Sequence, residues 1–193
     1  MKWFYISIII IVICICTFII INNKNSNGIY SKELNRIINK KIKYDKLLSI
    51  NYNKSGDMVG SIESIRIDIN NKELTYKHRS YYDENIKVEI YNVSDDNIKN
   101  INELIIEYNL PAWSKLKLSD LVVYDGATED ISLNYDNTKI NGNSMEIYNI
   151  SFSYKLPNDA YPILRNFKNN LYLLINNDNL VNEYYEDKKG IYY

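Results

Sequence analysis

The chain is nearly without the side chains that carry out most enzyme chemistry. Its two cysteines, Cys14 and Cys16, lie near the start, and no cysteine follows Cys16. It has a single histidine, His78. Zinc sites built from His and Cys are therefore excluded by count over the rest of the chain. A Ser-His-Asp arrangement has only His78 to draw on, and no G-x-S-x-G turn accompanies it. The EF-hand order D-x-[DN]-x-[DN]-G is also missing. Beyond residue 46 the chain is net acidic. That argues against nucleic acid, whose phosphates require a basic face.

One stretch, Trp3 to Ile21, has no charge, glycine or proline and is dominated by isoleucine. A helix rises about 1.5 Å per residue, so roughly 20 such residues cross a hydrocarbon core of ~30 Å. A cleaved signal peptide needs a shorter apolar core, about 7–15 residues, and a small-residue cleavage site. Here Asn22-Asn23-Lys24-Asn25 follows the apolar run, and Ser26 and Gly28 make a poor site. A lipoprotein would end its apolar run at a cysteine after a small residue, but Cys14 and Cys16 each follow isoleucine and the run goes on to Ile21. The segment reads as an uncleaved single-pass anchor in the lipid bilayer over residues 3–21, with Trp3, Phe4 and Tyr5 where an aromatic belt would lie.

Two arguments about sidedness conflict. Lys24, Lys32, Arg36, Lys40, Lys41, Lys43 and Lys46 follow the anchor, against only Glu33 and Asp45 in residues 22–46. The positive-inside rule would then place the domain in the cytoplasm. The very short segment before the apolar run resembles an uncleaved export signal, and a cysteine-free domain suits an oxidising space. The expectation is a domain outside the cytoplasm. Tyrosine, with 19 copies, fits a binding surface. It fits equally an AT-rich genome, which raises Asn, Ile, Lys and Tyr together.

Residues 22–30 read as a polar linker. Ser31 is placed to cap a helix from Lys32, in which Leu34, Ile37, Ile38 and Ile42 recur at helical spacing. With the basic residues on its other face, the 32–46 segment can contact anionic lipid. It can equally pack on the domain with its lysines in water. From Leu47 the period becomes two: Leu48, Ile50 and Tyr52 alternate with polar residues. Lys54-Ser55-Gly56-Asp57 makes a turn where glycine suits positive φ. Strands follow around Ile65-Ile67-Ile69, Leu74-Tyr76-His78 and Val88-Ile90, forming an antiparallel meander with one wet face. Ser94 or Asp95 caps a helix with the stripe Ile98, Ile101, Leu104, Ile105 and Tyr108, which Leu110-Pro111 ends. A crossover over 110–129 leads to a strand with Ile131, Leu133 and Tyr135. A further strand carries Ile150, Phe152, Tyr154 and Leu156. Asp159 is a candidate cap for a last helix, whose buried stripe is Leu164, Phe167, Leu171 and Leu174. The sequence therefore predicts an α+β fold: an antiparallel sheet of about six strands with two helices on one face, after an N-terminal transmembrane helix. The order of elements allows two related units, roughly 47–109 and 130–176, since Ser132-Leu133-Asn134-Tyr135-Asp136 echoes Ser49-Ile50-Asn51-Tyr52-Asn53. The predicted boundaries are 1–21 anchor, 22–46 linker and basic juxtamembrane helix, 47–176 domain, and 177–193 a polar, frayed tail.

The middle of the chain carries Tyr108-Asn109-Leu110-Pro111-Ala112-Trp113-Ser114, Ser119-Asp120-Leu121, Asp125-Gly126-Ala127-Thr128 and Ile131-Ser132-Leu133-Asn134-Tyr135-Asp136. This pattern resembles one in small membrane-anchored or exported proteins of low-GC Gram-positive bacteria that have no assigned activity. The resemblance covers roughly residues 47–175. It implies an α+β domain and no catalytic residues.

The remaining candidates are few. Asp120, Asp125, Glu129 and Asp130 cluster in and after the crossover, where two converging carboxylates would suit acid–base work or a hard cation. Their plain alternative is a solvated acidic loop. Trp113 either plugs the edge of the core or stands as an interface anchor. A binding patch is expected where Trp113, Tyr124 and Asp125 meet, with Asp120 nearby. His78 reads as a structural residue. No cofactor, metal or catalytic residue is indicated. The expected function is a membrane-anchored, non-catalytic domain that binds a protein or envelope ligand. Its rivals are a carboxylate-dependent envelope hydrolase and a cytoplasm-facing membrane-associated partner protein.

Overall fold

A computed structural model describes residues 31–56, 60–114, 128–141, 145–151, 156 and 158–187. The expected anchor (1–21) and linker (22–30) lie outside them. Among the described residues no helix is long and apolar enough to cross a membrane.

Helix α1 (Lys32–Ile38) leads into strand β1 (Lys46–Ser55). β2 (Ile62–Asp68), β3 (Glu73–Arg79) and β4 (Ile86–Asn92) continue an antiparallel meander. Helices α2 (Asp95–Glu107) and α3 (Leu110–Trp113) come next, then β5 (Thr128–Asp136), the short α4 (Thr138–Asn141), β6 (Glu146–Ser151), α5 (Ala160–Tyr172) and β7 (Leu180–Glu186). The sheet has seven strands in the order β6-β5-β1-β2-β3-β4-β7, and every neighbouring pair is antiparallel. The strand β7 corrects the sequence reading, which left residues 177–193 as a frayed polar tail. Leu180, Val181, Tyr184 and Tyr185 give this stretch the β-branched and aromatic content of a strand. The segment joins the sheet beside β4.

The alternation in the sequence explains which face is buried. Ile50 and Tyr52, Ile65 and Ile67, Leu74, Tyr91, Ile131, Leu133 and Tyr135 point to one face and are buried there. α2 delivers Ile101 and Ile105 to that face, and α5 delivers Ile163, Leu164, Phe167 and Leu171. Each such side chain contributes about 1.5–3 kcal/mol when fully buried. One register detail departs from strict alternation. A bulge between Leu47 and Ser49 lets Leu47 share the buried face with Ile50, and Leu48 is only half-buried. A bulge switches the side on which the next residues point, so the expected Leu48-Ile50-Tyr52 set is replaced by Leu47, Ile50 and Tyr52. The two echoed segments are neighbours across the centre of the sheet, where Ile50 pairs with Leu133 and Asn51 with Ser132. They do not head equal units, since four strands precede α2 and two precede α5.

Helix α1 belongs to this core. Ser31 caps it by accepting from Leu34 N–H at 3.2 Å. Leu34 and Ile37 are buried in the same cluster as the sheet and the other helices. Asp159, expected to cap α5, makes no side-chain cap bond there. Its carboxylate instead accepts hydrogen bonds from the Ser31 N–H and hydroxyl. Asn109 completes the attachment. It is buried, sits in the left-handed region at φ 48°, and its amide nitrogen donates to the carbonyls of Ile37, Ile38 and Lys40. The Ile37 carbonyl also accepts from the Lys40 N–H at 3.0 Å, whereas those of Ile38 and Lys40, at and beyond the end of α1, have the Asn109 amide as their partner.

Asn109→Ala should therefore lose roughly 2–4 kcal/mol of stability, from left-handed strain and from the Ile38 and Lys40 carbonyls left unbonded. Asn109→Asp tolerates the backbone but cannot donate, and most of the loss should remain. Urea denaturation of both variants checks this, and a stable Asn109→Asp would show that the amide donors do not hold α1.

Candidate functional site

The residues between the core positions point the other way. On β1 these are Asn51 and Asn53, on β2 Ser64, Arg66 and Asp68, and on β3 Glu73, Thr75 and Lys77. Among the described residues no helix covers this face. It forms a groove of about 720 Å³ whose lining runs from Ser132 on β5 to Tyr184 on β7.

Register sets the order of the side chains across the groove. Ser132, Asn51, Arg66 and Thr75 stand in one row on four adjacent strands. Asp130, Asn53, Ser64 and Lys77 form the next. Parts of this surface are bonded internally. Ser64 Oγ donates to Asn53 Oδ1 at 2.9 Å, and Asn53 Nδ2 donates to Asp130 Oδ2 at 3.2 Å. Ser132 Oγ donates to Asn149 Oδ1 at 2.7 Å. Lys77 Nζ pairs with Glu186 at 2.7 Å. Val88, fully buried on this side, lies between Lys77 and Tyr184 in the register. In the middle the pattern changes. Asn51, Arg66 and Thr75 make no side-chain hydrogen bond or ion pair among the described residues. An amide, a guanidinium and a hydroxyl are thus presented side by side with their donors unused.

The opposite face ends in a charged rim beyond the helices. Tyr76 Oη donates to Glu63 at 2.9 Å, and its ring stacks on His78 with centroids 4.7 Å apart. Lys87 Nζ lies 2.6 Å from Glu89 and 3.1 Å from Glu183, and His78 Nε2 lies 3.5 Å from Glu89. Burial pulls the Glu89 carboxyl upward. Hydrogen bonds from Lys87 and Tyr91, with the charges of Lys87 and His78, outweigh it and leave Glu89 below its ordinary range. Burial, and then the Glu89 charge, pushes the Tyr91 phenol up to about 12. Burial first and Glu63 second raise Tyr76 as well. These phenols remain protonated donors and cannot act as bases near neutrality. Lys87, Glu89 and Glu183 form the ion pairs of this rim, and His78 stands beside Glu89 against the Tyr76 ring.

Trp113 is buried in α3 at 2 % exposure, and its indole N–H donates to the Tyr108 carbonyl at 2.9 Å. That leaves it no open face for a ligand. Tyr124, Asp125 and Asp120 lie outside the described residues. Glu129 and Asp130, expected to cluster, are neighbours on β5 and point to opposite faces. Glu129 pairs with Lys168 of α5 at 3.0 Å, whereas Asp130 bonds Asn53 in the groove. Those two carboxylates do not converge. Among the described residues no group of three or more His, Cys, Asp or Glu side chains is arranged to hold a metal ion. The groove was visible in the sequence only as the polar half of each alternating strand. Comparison with protein-family models and with characterised proteins found no match.

Glu89 gives a pH test. Its folded carboxyl ionises below its ordinary value of 4.5. Its stabilising contribution is therefore present above that value and is lost as pH falls through the folded one. The stability gap between the parent chain and Glu89→Gln should be widest near neutral pH and shrink as the pH is taken below 4.5. Urea melts across that window measure it, and a constant gap would contradict the ion-pair account.

Proposed function

We propose that this chain is a membrane-anchored, non-catalytic binding domain, held outside the cytoplasm, whose uncovered sheet face takes a polar envelope ligand. The observation that carries this reading is the row Asn51, Arg66 and Thr75, with unused hydrogen-bonding groups at the centre of a concave surface. A polar groove with free donors favours a hydrated ligand rich in hydroxyl and carbonyl groups over an apolar one. The apolar run Trp3–Ile21 supplies the anchor, with Trp3, Phe4, Tyr5 and Ile21 in its interfacial or lipid-facing positions. The divergence of Glu129 and Asp130 weighs against the hydrolase reading.

Two measurements test the two halves of the proposal. With a C-terminal tag, protease treatment of intact cells should remove the tag without lysis; protection until the membrane is opened would place the domain inside. Detergent-solubilised chain should co-sediment with isolated cell-wall material, and Asn51→Ala/Arg66→Ala/Thr75→Ala should weaken the binding by roughly thirtyfold or more, as expected for loss of two or three ligand hydrogen bonds. Equal sedimentation of the two proteins would remove the groove as the binding surface.

A further inference from the structure

The segment between the apolar run and the sheet carries six cationic side chains within fifteen residues: Lys32, Arg36, Lys40, Lys41, Lys43 and Lys46. All six are exposed. None of them takes part in an ion pair among the described residues, although acids abound elsewhere on the domain. The segment is fastened at three places. Leu34 and Ile37 are buried, the Asn109 amide holds the carbonyls at the end of α1, and Asp45 N–H donates to Asn137 Oδ1 at 2.9 Å. Two acids of the neighbouring elements are engaged by hydroxyl groups, Asp159 by Ser31 and Asp136 by Thr138. Lys46 stands opposite Asp136 across the strands and acts on its carboxylate by charge, while Lys32, Arg36, Lys40, Lys41 and Lys43 are displayed outward without an ion pair among the described residues.

The length of chain between this surface and the apolar run decides what can meet it. Only residues 22–30 separate Ile21 from Ser31. Fully extended, they span about 30 Å. A surface tethered that closely meets the bilayer at high effective concentration, without competition from a freely diffusing partner. Anionic headgroups attract lysine and arginine within a Debye length, about 10 Å at moderate salt. We infer that residues 32–46 form a docking surface for anionic phospholipid, which sets the β1 entrance end of the sheet against the membrane. The anchor alone would leave the domain free to turn on its linker. The docked surface fixes the orientation, and because α1 is part of the core the whole sheet follows it. This goes beyond ligand binding in the groove and does not depend on which side of the membrane the domain occupies.

The test uses the full chain reconstituted into vesicles of phosphatidylcholine alone and into vesicles with about one-third phosphatidylglycerol. A neutral amine-reactive reagent is applied and each lysine is read by mass spectrometry. Lys54 serves as the internal reference: it lies on the same strand as Lys46, about 26 Å further along at 3.3 Å per residue. Relative to Lys54, labelling of Lys40, Lys41, Lys43 and Lys46 should slow about threefold or more in the anionic vesicles. The protection should vanish in about 1 M salt, where the Debye length is about 3 Å. Arg36→Gln/Lys40→Gln/Lys41→Gln changes only exposed side chains, and it should abolish the protection at Lys43 and Lys46 while the chain stays in the vesicle. Equal labelling ratios in the two kinds of vesicle would overturn the inference. So would protection that survives high salt or persists in the triple variant.

Discussion

Both returns of the chain across the sheet, by α2 and by α5, lie on one face, and the burial of their apolar stripes there governs the rest of the structure. Ile101, Ile105, Ile163, Phe167 and Leu171 occupy the space above the central strands. Burial of apolar surface at that face dictates the alternation in β1, β2, β3 and β5. Among the described residues the other face has no covering layer, and there the same alternation places amides, hydroxyls and charges. Antiparallel sheets tolerate one solvated side. What is particular here is that the solvated side is concave and that its central row is not bonded to itself.

Most of the fold was legible because its elements carry strong periods. The stripe Leu164, Phe167, Leu171 and Leu174 and the pair Ile101 and Ile105 are buried as their spacing indicated. Gly56 has the positive φ that its turn called for. The departures have local causes. The bulge at Leu47 to Ser49 is a one-residue shift that composition does not announce. Asp159 has the right chemistry for a cap, but a distant N–H, that of Ser31, takes its carboxylate. β7 was hidden by its polar setting among asparagines and acids, and its place is fixed by pairing with β4. The candidate site was harder to read. Trp113 attracts notice as a rare aromatic, yet its position after Asn109 turns the indole inward. The row Asn51, Arg66 and Thr75 is assembled from three strands by register, which no single stretch of sequence displays.

The two ends of the described chain serve the same sheet in different ways. At its start, α1 ties the basic segment into the core through Leu34 and Ile37. At its close, β7 extends the groove and brings Tyr184 and Glu186 to its wall, where Glu186 neutralises Lys77. With Lys77 paired, Arg66 stands as the unpaired cation of the groove among the described residues. A face arranged for stability would be expected to close such a charge with a cross-strand partner. Arg66 has Asn51 and Thr75 instead.

The two faces of each central strand divide the labour, one building the core and one lining the groove, and β2 offers adjacent residues to test it. The most direct measurement is the urea denaturation of Ile67→Ala and Arg66→Ala, side by side with the parent chain. Ile67 is buried beneath the helices, so its truncation should lose roughly 2–4 kcal/mol. Arg66 is exposed and unbonded, so its truncation should change stability by less than about 0.5 kcal/mol. If Arg66→Ala were as destabilising as Ile67→Ala, the uncovered face would be part of what holds the domain together, and it would not be a surface kept open for a ligand.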